Sequence, residues 1–201
     1  MLLYRPVGLL ELRLIFESGM MAFPPRLPEQ PIFYPVLNIE YARQIAFEWN
    51  TTSEPFAGYV TQFEVEDKFL SQFERKIVGG KQHEELWIPA ELLMDFNDHI
   101  RGRISVIDAS FGKEFIGFVG ENTNIKGKNA IDQLFYFVRA FTYSPFDVHA
   151  EIIVNKTTVF LNYPFWQVNQ FEDLDQTMYH DALDFIQLDW NRSFPEIQLG
   201  I

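Results

Sequence analysis

Three side chains that could do chemistry lie close together in residues 79–89, which read GGKQHEELWIP. If residues 85–88 form a strand, the period-2 alternation of side chains places His83, Glu85 and Trp87 on one face. A carboxylate would then lie between an imidazole and an indole. A glutamate on a rigid strand that follows a flexible Gly-Gly turn is well placed to hold an acid at the edge of a cleft.

The same residues also have a simpler interpretation. A charged HEE tripeptide after a turn is typical of the solvated start of a strand. The spacing by itself leaves both interpretations open, so the elements that would position Glu85 have to be considered.

Composition limits the classes of protein that the chain can belong to. With 201 residues, 47 % hydrophobic residues and 21 Phe, the chain can build a full core. The net charge of −12 makes a nucleic-acid partner an unfavourable expectation. Because there is no cysteine, disulfides, thiolate zinc sites and a cysteine nucleophile are excluded.

The sequence predicts a cytoplasmic protein with no membrane segment and no metal. Arg5, Glu11 and Arg13 interrupt the apolar N-terminal run before it reaches the length of a signal or a membrane span. His83 has no second histidine or carboxylate at ligand spacing on its own predicted strand.

Residues 1–115 are predicted to form one α+β domain in which helices and strands follow in mixed order. Asn38 is a suitable N-cap for a helix over residues 39–49, and Tyr41, Ile45 and Trp49 form its buried stripe. The other predicted elements are strands at 2–7, 32–37, 58–65, 85–88 and 104–109, a helix at 9–18, and a proline-rich loop at 20–31.

A second unit is predicted for residues 125–201, after a join rich in Gly, Lys and Asn. Residues 130–141 and 174–190 have helical patterns, and residues 148–154 and 157–163 are predicted to form a β-hairpin. The expected arrangement is therefore an α-β-β-α unit. If the protein is a non-catalytic interaction module, the aromatic segment 159–166 (VFLNYPFW) on this hairpin would be an exposed binding face.

The segments LLYRPV, IFYPVL and HEELWIP resemble, in this order, three motifs of the ADP-ribosyltransferase fold. In that family a first strand carries an Arg or His that binds NAD, a second carries a Ser or Tyr, and a third carries the catalytic Glu before two or three aliphatic residues and Pro. The combination also resembles little-characterised bacterial proteins labelled as ADP-ribosylating. The resemblance covers about the first 110 residues and implies a split β-sheet.

The resemblance assigns a role to each candidate residue. Glu85 would be the catalytic carboxylate, because it lies four positions before Pro89, and His83 takes the place of the family's Gln or Glu two residues earlier. Arg5, with Arg26 as a second candidate, would bind the pyrophosphate of NAD, since a planar guanidinium fits phosphate oxygens. Tyr34, or Phe33 beside it, would stack on nicotinamide. The implied activity transfers ADP-ribose from NAD to an acceptor that the sequence does not name, protein being one candidate.

Three alternatives remain at the level of the sequence. A register shifted by one residue would make Glu84 catalytic, with Gln82 before it. An RNA 2′-phosphotransferase-like enzyme would share the fold, although a chain of charge −12 would repel its substrate. A non-catalytic interaction or immunity-type module would use the fold for binding alone.

Overall fold

The computed structural model describes residues 1–80 and 82–201, and the chain forms two compact units, Met1–Gly112 and Lys113–Ile201. The sequence predicts a boundary within the Gly-, Lys- and Asn-rich residues 111–128, between units placed at 1–115 and 125–201, and the structure divides the chain after Gly112. Lys81, within the 79–89 stretch, lies outside the described residues. Helices and strands are both present, so the α+β class that the sequence predicts is confirmed.

The first unit carries its strands and helices in mixed order. The strands are β1 (Leu2–Gly8), β2 (Ile32–Phe33), β3 (Ala57–Val65), β4 (Arg75–Ile77), β5 (Glu84–Leu86), β6 (Ile88–Pro89) and β7 (Ile100–Phe111). The helices are α1 (Leu9–Glu17), α2 (Ile39–Ile45), α3 (Asp67–Leu70) and α4 (Leu93–Asp98). A π-helical turn (Ala46–Asn50) follows α2, and a 3₁₀ turn (Ala90–Leu92) precedes α4.

The main sheet of this unit has the strand order β1-β3-β7, with antiparallel neighbours. Val36 extends the row beyond β1, because it forms one antiparallel bridge with Tyr4 and another with Glu85. Strand β5 follows on the far side of Val36 and pairs with β4. In this row only the short segment at Val36 lies between β1, the first strand, and β5, the strand that carries Glu85. A separate two-stranded sheet joins β2 to β6.

The core of the first unit is aromatic. The ring of Phe23 lies 4.9 Å from that of Phe33 and 4.7 Å from that of Phe63, and Phe33 lies 5.2 Å from Phe96. Edge-on and tilted aromatic pairs of this kind add to the stabilisation that burial alone gives. Phe23 belongs to the proline-rich loop, and Asn97 fixes its backbone through two hydrogen bonds of 2.9 Å. The loop is therefore attached to the core at this point.

Helix α2 begins where the sequence predicts. The side chain of Asn38 accepts hydrogen bonds from the backbone N–H groups of Glu40 and Tyr41. N–H groups in the first turn of a helix have no acceptor within the helix itself, so this cap satisfies two of them. The π-helical turn after α2 lies close against β3, because Gly58 has no side chain to separate them. A Cβ added at Gly58 would lie 2.2 Å from the carbonyl oxygen of Ala46.

The second unit is helical where a hairpin is predicted, so the α-β-β-α expectation is wrong. Its helices are α5 (Ala130–Tyr143), α6 (Pro145–Val154), α7 (Lys156–Val168) and α8 (Gln176–Ser193). The predicted strands 148–154 and 157–163 lie inside α6 and α7. The aromatic segment 159–166 is buried rather than exposed, since every residue from Thr158 to Trp166 is buried in α7.

Two physical reasons account for this error. A short apolar run rich in β-branched residues has the same appearance in a buried strand as in a helix that is buried on all sides. The second reason is that residues 144 and 145 carry a helix start signal that outweighs the strand preference of the run after them. Ser144 accepts a hydrogen bond from the backbone N–H of Asp147, and Pro145 occupies the first helical position.

We expect Gly58→Ala to destabilise the first unit. The added methyl group would force the Ala46 backbone away from β3, and overpacking of this kind lowers the free energy of unfolding by about 1 to 3 kcal/mol. Gly8→Ala is the matched control, because Gly8 pairs with Gly58 across the sheet but its added Cβ would meet its nearest neighbour, the carbonyl oxygen of Ala57, at 3.9 Å. Urea denaturation measures both variants. Equal effects of the two substitutions would contradict the close approach at Gly58.

Candidate functional site

A cleft of about 390 Å³ opens on the first unit where β1, the Val36 segment, α2 and β5 meet. It brings together three residues that the sequence singles out: Arg5, Tyr34 and Glu85. Its other lining residues are mostly apolar or aromatic: Pro6, Val36, Tyr41, Ile45, Trp49, Val78 and Trp87. A mostly apolar cleft with a few convergent polar groups is typical of a small-molecule site.

Glu85 is held by one hydrogen bond on each carboxylate oxygen. The hydroxyl of Tyr41 donates to Oε1 at 2.9 Å, and the indole Nε1 of Trp87 donates to Oε2 at 2.9 Å. Glu85 and Trp87 share a face, as the period-2 alternation predicts. Each oxygen of a carboxylate has two acceptor positions, and residues 1–80 and 82–201 fill one on each oxygen, which leaves the other for a ligand.

Glu84, the alternative catalytic residue, lies outside this arrangement. Its carboxylate pairs with Arg75 at 3.4 Å, and both side chains have substantial solvent exposure. In the described part of the chain, Glu84 is not among the residues that line the cleft. A pair of this kind contributes little to stability. The two adjacent glutamates therefore have different surroundings, and Glu85 is the one that faces the cleft.

Tyr41 is a site residue that sequence reasoning assigned to a buried stripe and not to the site. The signal was the spacing itself, since the three stripe residues Tyr41, Ile45 and Trp49 all line the cleft. Trp49 is 62 % exposed because it sits in the π-helical turn at the mouth of the cleft. The stripe thus forms one wall, and only its Tyr41 end is buried.

The phenol of Tyr41 is hard to ionise. Burial, followed by the hydrogen bond to Glu85 and its negative charge, raises the pKa of Tyr41 from 10.0 to about 12. A raised folded-state pKa means that the neutral phenol stabilises the fold fully below pH 10.0, and that this contribution is lost as the pH rises to about 12. Tyr41 is therefore a hydrogen-bond donor to Glu85 throughout the neutral range.

His83 directly precedes β5 and contacts Tyr41, the residue that donates a hydrogen bond to Glu85. The two rings stack with centroids 4.2 Å apart and planes inclined by 16°. The Nδ1 atom of His83 lies 3.1 Å from the carbonyl oxygen of Val78. Among the described residues His83 does not line the cleft, and its contacts support the position of the Tyr41 ring.

Arg5 lines the cleft and is also a structural ion-pair partner. Its Nε and Nη2 atoms donate to the two carboxylate oxygens of Glu11 at 2.9 and 3.3 Å, and Nη1 donates to the carbonyl oxygen of Tyr34 at 3.2 Å. The guanidinium also lies 4.5 Å from the ring centroid of Phe33. Arg5 is only 7 % exposed, so its charge is largely compensated inside the protein.

Arg26 reaches the same carboxylate from the proline-rich loop. Its Nη1 atom lies 3.6 Å from Oε1 of Glu11. Its Nε atom is buried and has no hydrogen-bond partner among the described residues. Burial and then the charge of Arg5 lower the pKa of Arg26. Two guanidinium groups thus share one carboxylate, which leaves an excess positive charge beside Arg5, although Arg26 itself is not among the cleft-lining residues that the structure describes.

Tyr34 is fixed by contacts at its ring and at its backbone. The ring meets that of Trp87 edge-on at 5.6 Å, with 79° between the planes. Its carbonyl oxygen accepts the hydrogen bond from Arg5. Tyr34 therefore connects the Arg5 end of the cleft with the Glu85 end.

Two further observations concern the described residues 1–80 and 82–201. They contain no group of three His, Cys, Asp or Glu side chains placed to hold a metal ion. They also contain no helix with the length and apolar character needed to cross a membrane.

Comparisons of the chain with protein-family models, curated proteins and solved structures give no match.

We expect Glu85→Gln to lower the pKa of Tyr41, because it removes the negative charge beside the phenol. The pKa should stay above 10.0, since burial is the largest cause of the shift. Nuclear magnetic resonance of ring-labelled tyrosine measures the titration, and Tyr41→Phe identifies the signal. Glu84→Gln is the matched control and should leave the titration unchanged. A pKa that is the same in Glu85→Gln and wild type would contradict the hydrogen bond.

We expect Arg5→Ala to lower the free energy of unfolding by about 1 to 3 kcal/mol. This is less than the ~3 to 5 kcal/mol for breaking a fully buried pair, because Glu11 keeps partial solvent contact and a second pairing with Arg26. The double variant Arg5→Ala/Glu11→Gln should recover part of the loss in urea denaturation. If the double variant is less stable than Arg5→Ala, the cost does not come from an unpaired Glu11.

Proposed function

We propose that the first unit is an NAD-dependent ADP-ribosyltransferase or NAD glycohydrolase, with Glu85 as its catalytic carboxylate. The observation that carries the proposal is the placement of Glu85: its carboxylate is held from two sides by Tyr41 and Trp87, and it faces a cleft that Arg5 and Tyr34 also line. These are the residue types that the resemblance of the three motifs requires.

The chemistry explains why a carboxylate is needed at this position. Breaking the bond between nicotinamide and ribose creates positive charge on the sugar, so a nearby carboxylate helps most in the transition state. Glu85 can accept a hydrogen bond from a ribose hydroxyl through the open acceptor position on either oxygen. Its two fixed donors keep the carboxylate oriented, so little reorganisation is needed during the reaction.

The opposite end of the cleft suits phosphate. A guanidinium has five N–H donors, and Arg5 uses three of them on Glu11 and Tyr34. In this proposal the remaining two would bind phosphate oxygens. The excess positive charge from Arg26 strengthens this end, since one carboxylate faces two guanidinium groups. A ligand with a sugar near Glu85 and a phosphate near Arg5 matches this distribution of charge.

A second candidate function is a non-catalytic interaction module. It is favoured by apolar side chains that stay exposed on the elements flanking the cleft: Phe47 is 65 % exposed and Trp49 is 62 % exposed. Exposed aromatic groups of this size are common at binding surfaces. In that case the cleft would bind a partner without turnover.

We expect Glu85→Gln to lower the rate of nicotinamide release from NAD by at least about 100-fold, because the charge that stabilises the transition state is lost at nearly constant shape. The dissociation constant for NAD should change much less. Nicotinamide release measured by chromatography gives the rate, and calorimetric titration gives the affinity. Glu84→Gln is the matched control, since Glu84 carries the same charge one residue away on the other face of β5.

Two results would count against this assignment. Loss of activity in Glu84→Gln with activity kept in Glu85→Gln would shift the catalytic register by one residue. A wild-type protein that neither binds NAD nor releases nicotinamide with water or with any protein acceptor tried would leave the interaction module as the function of the cleft.

A further inference from the structure

We propose that the second unit carries a docking groove for a basic amphipathic helix of another protein. The groove has a volume of about 690 Å³ and lies between helix α5 and the start of helix α8. Its described lining belongs entirely to Lys113–Ile201, whereas that of the cleft around Glu85 belongs to Met1–Gly112. The inference therefore goes beyond the proposed function and does not depend on NAD.

The groove is long and open to solvent. Within α5 its lining runs from Asp132 to Tyr143, which corresponds to about 17 Å of helix at a rise of 1.5 Å per residue. The opposite wall consists of residues 173–175 and of Met178 in the first turn of α8. A small-molecule pocket encloses most of its ligand, whereas a helix laid in a groove is covered on one face only. The shape therefore suits a helix.

Apolar side chains supply the deeper part of this lining. Val138 is buried, Phe135 and Leu174 are partly buried, and Met178 is 38 % exposed. Tyr143 lines the groove at the end of α5 and is 81 % exposed, which makes it an aromatic anchor for a partner. An amphipathic helix can bury its apolar stripe on these side chains.

The wall formed by residues 173–175 is acidic. Asp173 and Asp175 are both exposed, and neither has a basic partner within 4 Å among residues 1–80 and 82–201. Asp175 also caps α8, because one of its carboxylate oxygens accepts a hydrogen bond from the backbone N–H of Met178 at 3.0 Å. Two negative charges on this wall are thus available to cations of a partner.

A buried negative charge lies behind one of the lining residues. The hydroxyl of Tyr136 lies 3.5 Å from Oε1 of Glu151, which is only 4 % exposed. The other donors to Glu151 are the uncharged side chains of Thr123, Asn124 and Asn155. Burial, followed by the charge of Glu151, raises the pKa of Tyr136. Because its donors in the described part of the chain are uncharged, Glu151 adds to the negative potential in the groove.

The basic residues of the lining fix the orientation of the partner. Lys128 and Arg139 both belong to the α5 wall, where Asp132 lies between them in the sequence. The α5 wall therefore carries both signs of charge, and the opposite wall is acidic. The basic edge of the partner helix faces Asp173 and Asp175, since like charges across an interface are costly.

A second copy of this chain does not match the acidic wall. The net charge of −12 would bring further acidic groups to a wall whose own acids are unpaired in the described structure. A polyamine would match the charges, but it has no apolar face to cover Val138, Leu174 and Met178. A basic amphipathic helix satisfies both parts of the lining.

Designed peptides test the groove in the full-length protein. The first is an amphipathic peptide of about 14 residues, or about 21 Å as a helix, with leucines on one face and lysines on the other. The second has glutamate in place of every lysine. Fluorescence anisotropy of labelled peptides measures binding, and we expect the lysine peptide to bind at least about tenfold more tightly.

Matched variants separate the groove from the overall charge of the protein. Asp173→Asn/Asp175→Asn should weaken the lysine peptide at least about threefold at low salt, while asparagine still caps α8. Asp181→Asn/Asp184→Asn removes the same charge from exposed positions of α8 outside the described lining, and should change binding little.

A second pair of variants tests the apolar part of the lining. Tyr143→Ser should weaken the lysine peptide about fivefold or more, because it removes the aromatic anchor. Phe146→Ser is the matched control, since Phe146 is 76 % exposed on α6 but is not among the described lining residues. Circular dichroism shows whether each variant keeps its helices.

Every other outcome overturns the proposal. Equal losses in the two aspartate pairs mean that the peptide is held by overall charge and not by the groove. Binding that Tyr143→Ser leaves unchanged, together with spermine that competes as strongly as the peptide, identifies a polyamine site instead. A dimer in analytical ultracentrifugation that Tyr143→Ser dissociates, and Phe146→Ser does not, assigns the groove to a second copy of the chain.

Discussion

The backbone pairing of Val36 on both of its sides is the interaction on which the candidate site depends. Its N–H and carbonyl groups exchange hydrogen bonds with Tyr4 at 2.8 and 2.9 Å. On the other side, Leu37 N–H donates to the backbone carbonyl oxygen of Glu84 at 3.0 Å, and Leu86 N–H donates to that of Pro35 at 2.9 Å. One short extended segment thus aligns β1 with β5. This segment is therefore what fixes the position of Arg5 on β1 relative to Glu85 on β5.

The charges around the cleft are arranged in separate local groups. Glu85 accepts hydrogen bonds from the uncharged side chains of Tyr41 and Trp87. Glu11, in contrast, pairs with the guanidinium groups of Arg5 and Arg26. A direct pair between Arg5 and Glu85 would have neutralised both groups and filled the cleft with a salt bridge. Because Glu11 takes Arg5 instead, the carboxylate of Glu85 keeps its negative charge available to a ligand.

Local patterns in the sequence predicted the parts of the site that depend on local physics. Alternation along β5 placed Glu85 and Trp87 on one face, and the Asn38 cap marked the start of α2. The hydrogen bond between Tyr41 and Glu85 was not predictable in this way, because it joins residues 44 positions apart and depends on the sheet that Val36 completes. The pairing of Arg5 with Glu11 is local by comparison, since it spans six positions from β1 to the first turn of α1, and an ion pair of Arg5 with an acidic residue is one of the interpretations that the sequence offers.

In the helical second unit, tertiary packing overrides the local preference of the sequence for strands. Residues 157–163 are rich in β-branched and aromatic types that favour strands, yet they lie in α7. What decides between the two states is burial on all sides of the helix, which a hairpin with one solvated face would not allow. The polar residues within this run find buried partners: Asn162 donates to Gln133 at 2.7 Å and to the carbonyl oxygen of Phe118 at 2.8 Å.

The π-helical turn at Ala46–Asn50 can be regarded as an inserted residue that the helix has absorbed. A helix that continued with regular α geometry would advance by about 100° per residue, since it has 3.6 residues per turn. Loss of one residue from this turn would return it to regular α geometry, and the indole of Trp49 would stay on the wall that Tyr41 and Ile45 form, because the wide turn had absorbed the extra residue. The chain can therefore vary by one residue at this place while the wall of the cleft and the sheet beneath it keep their arrangement.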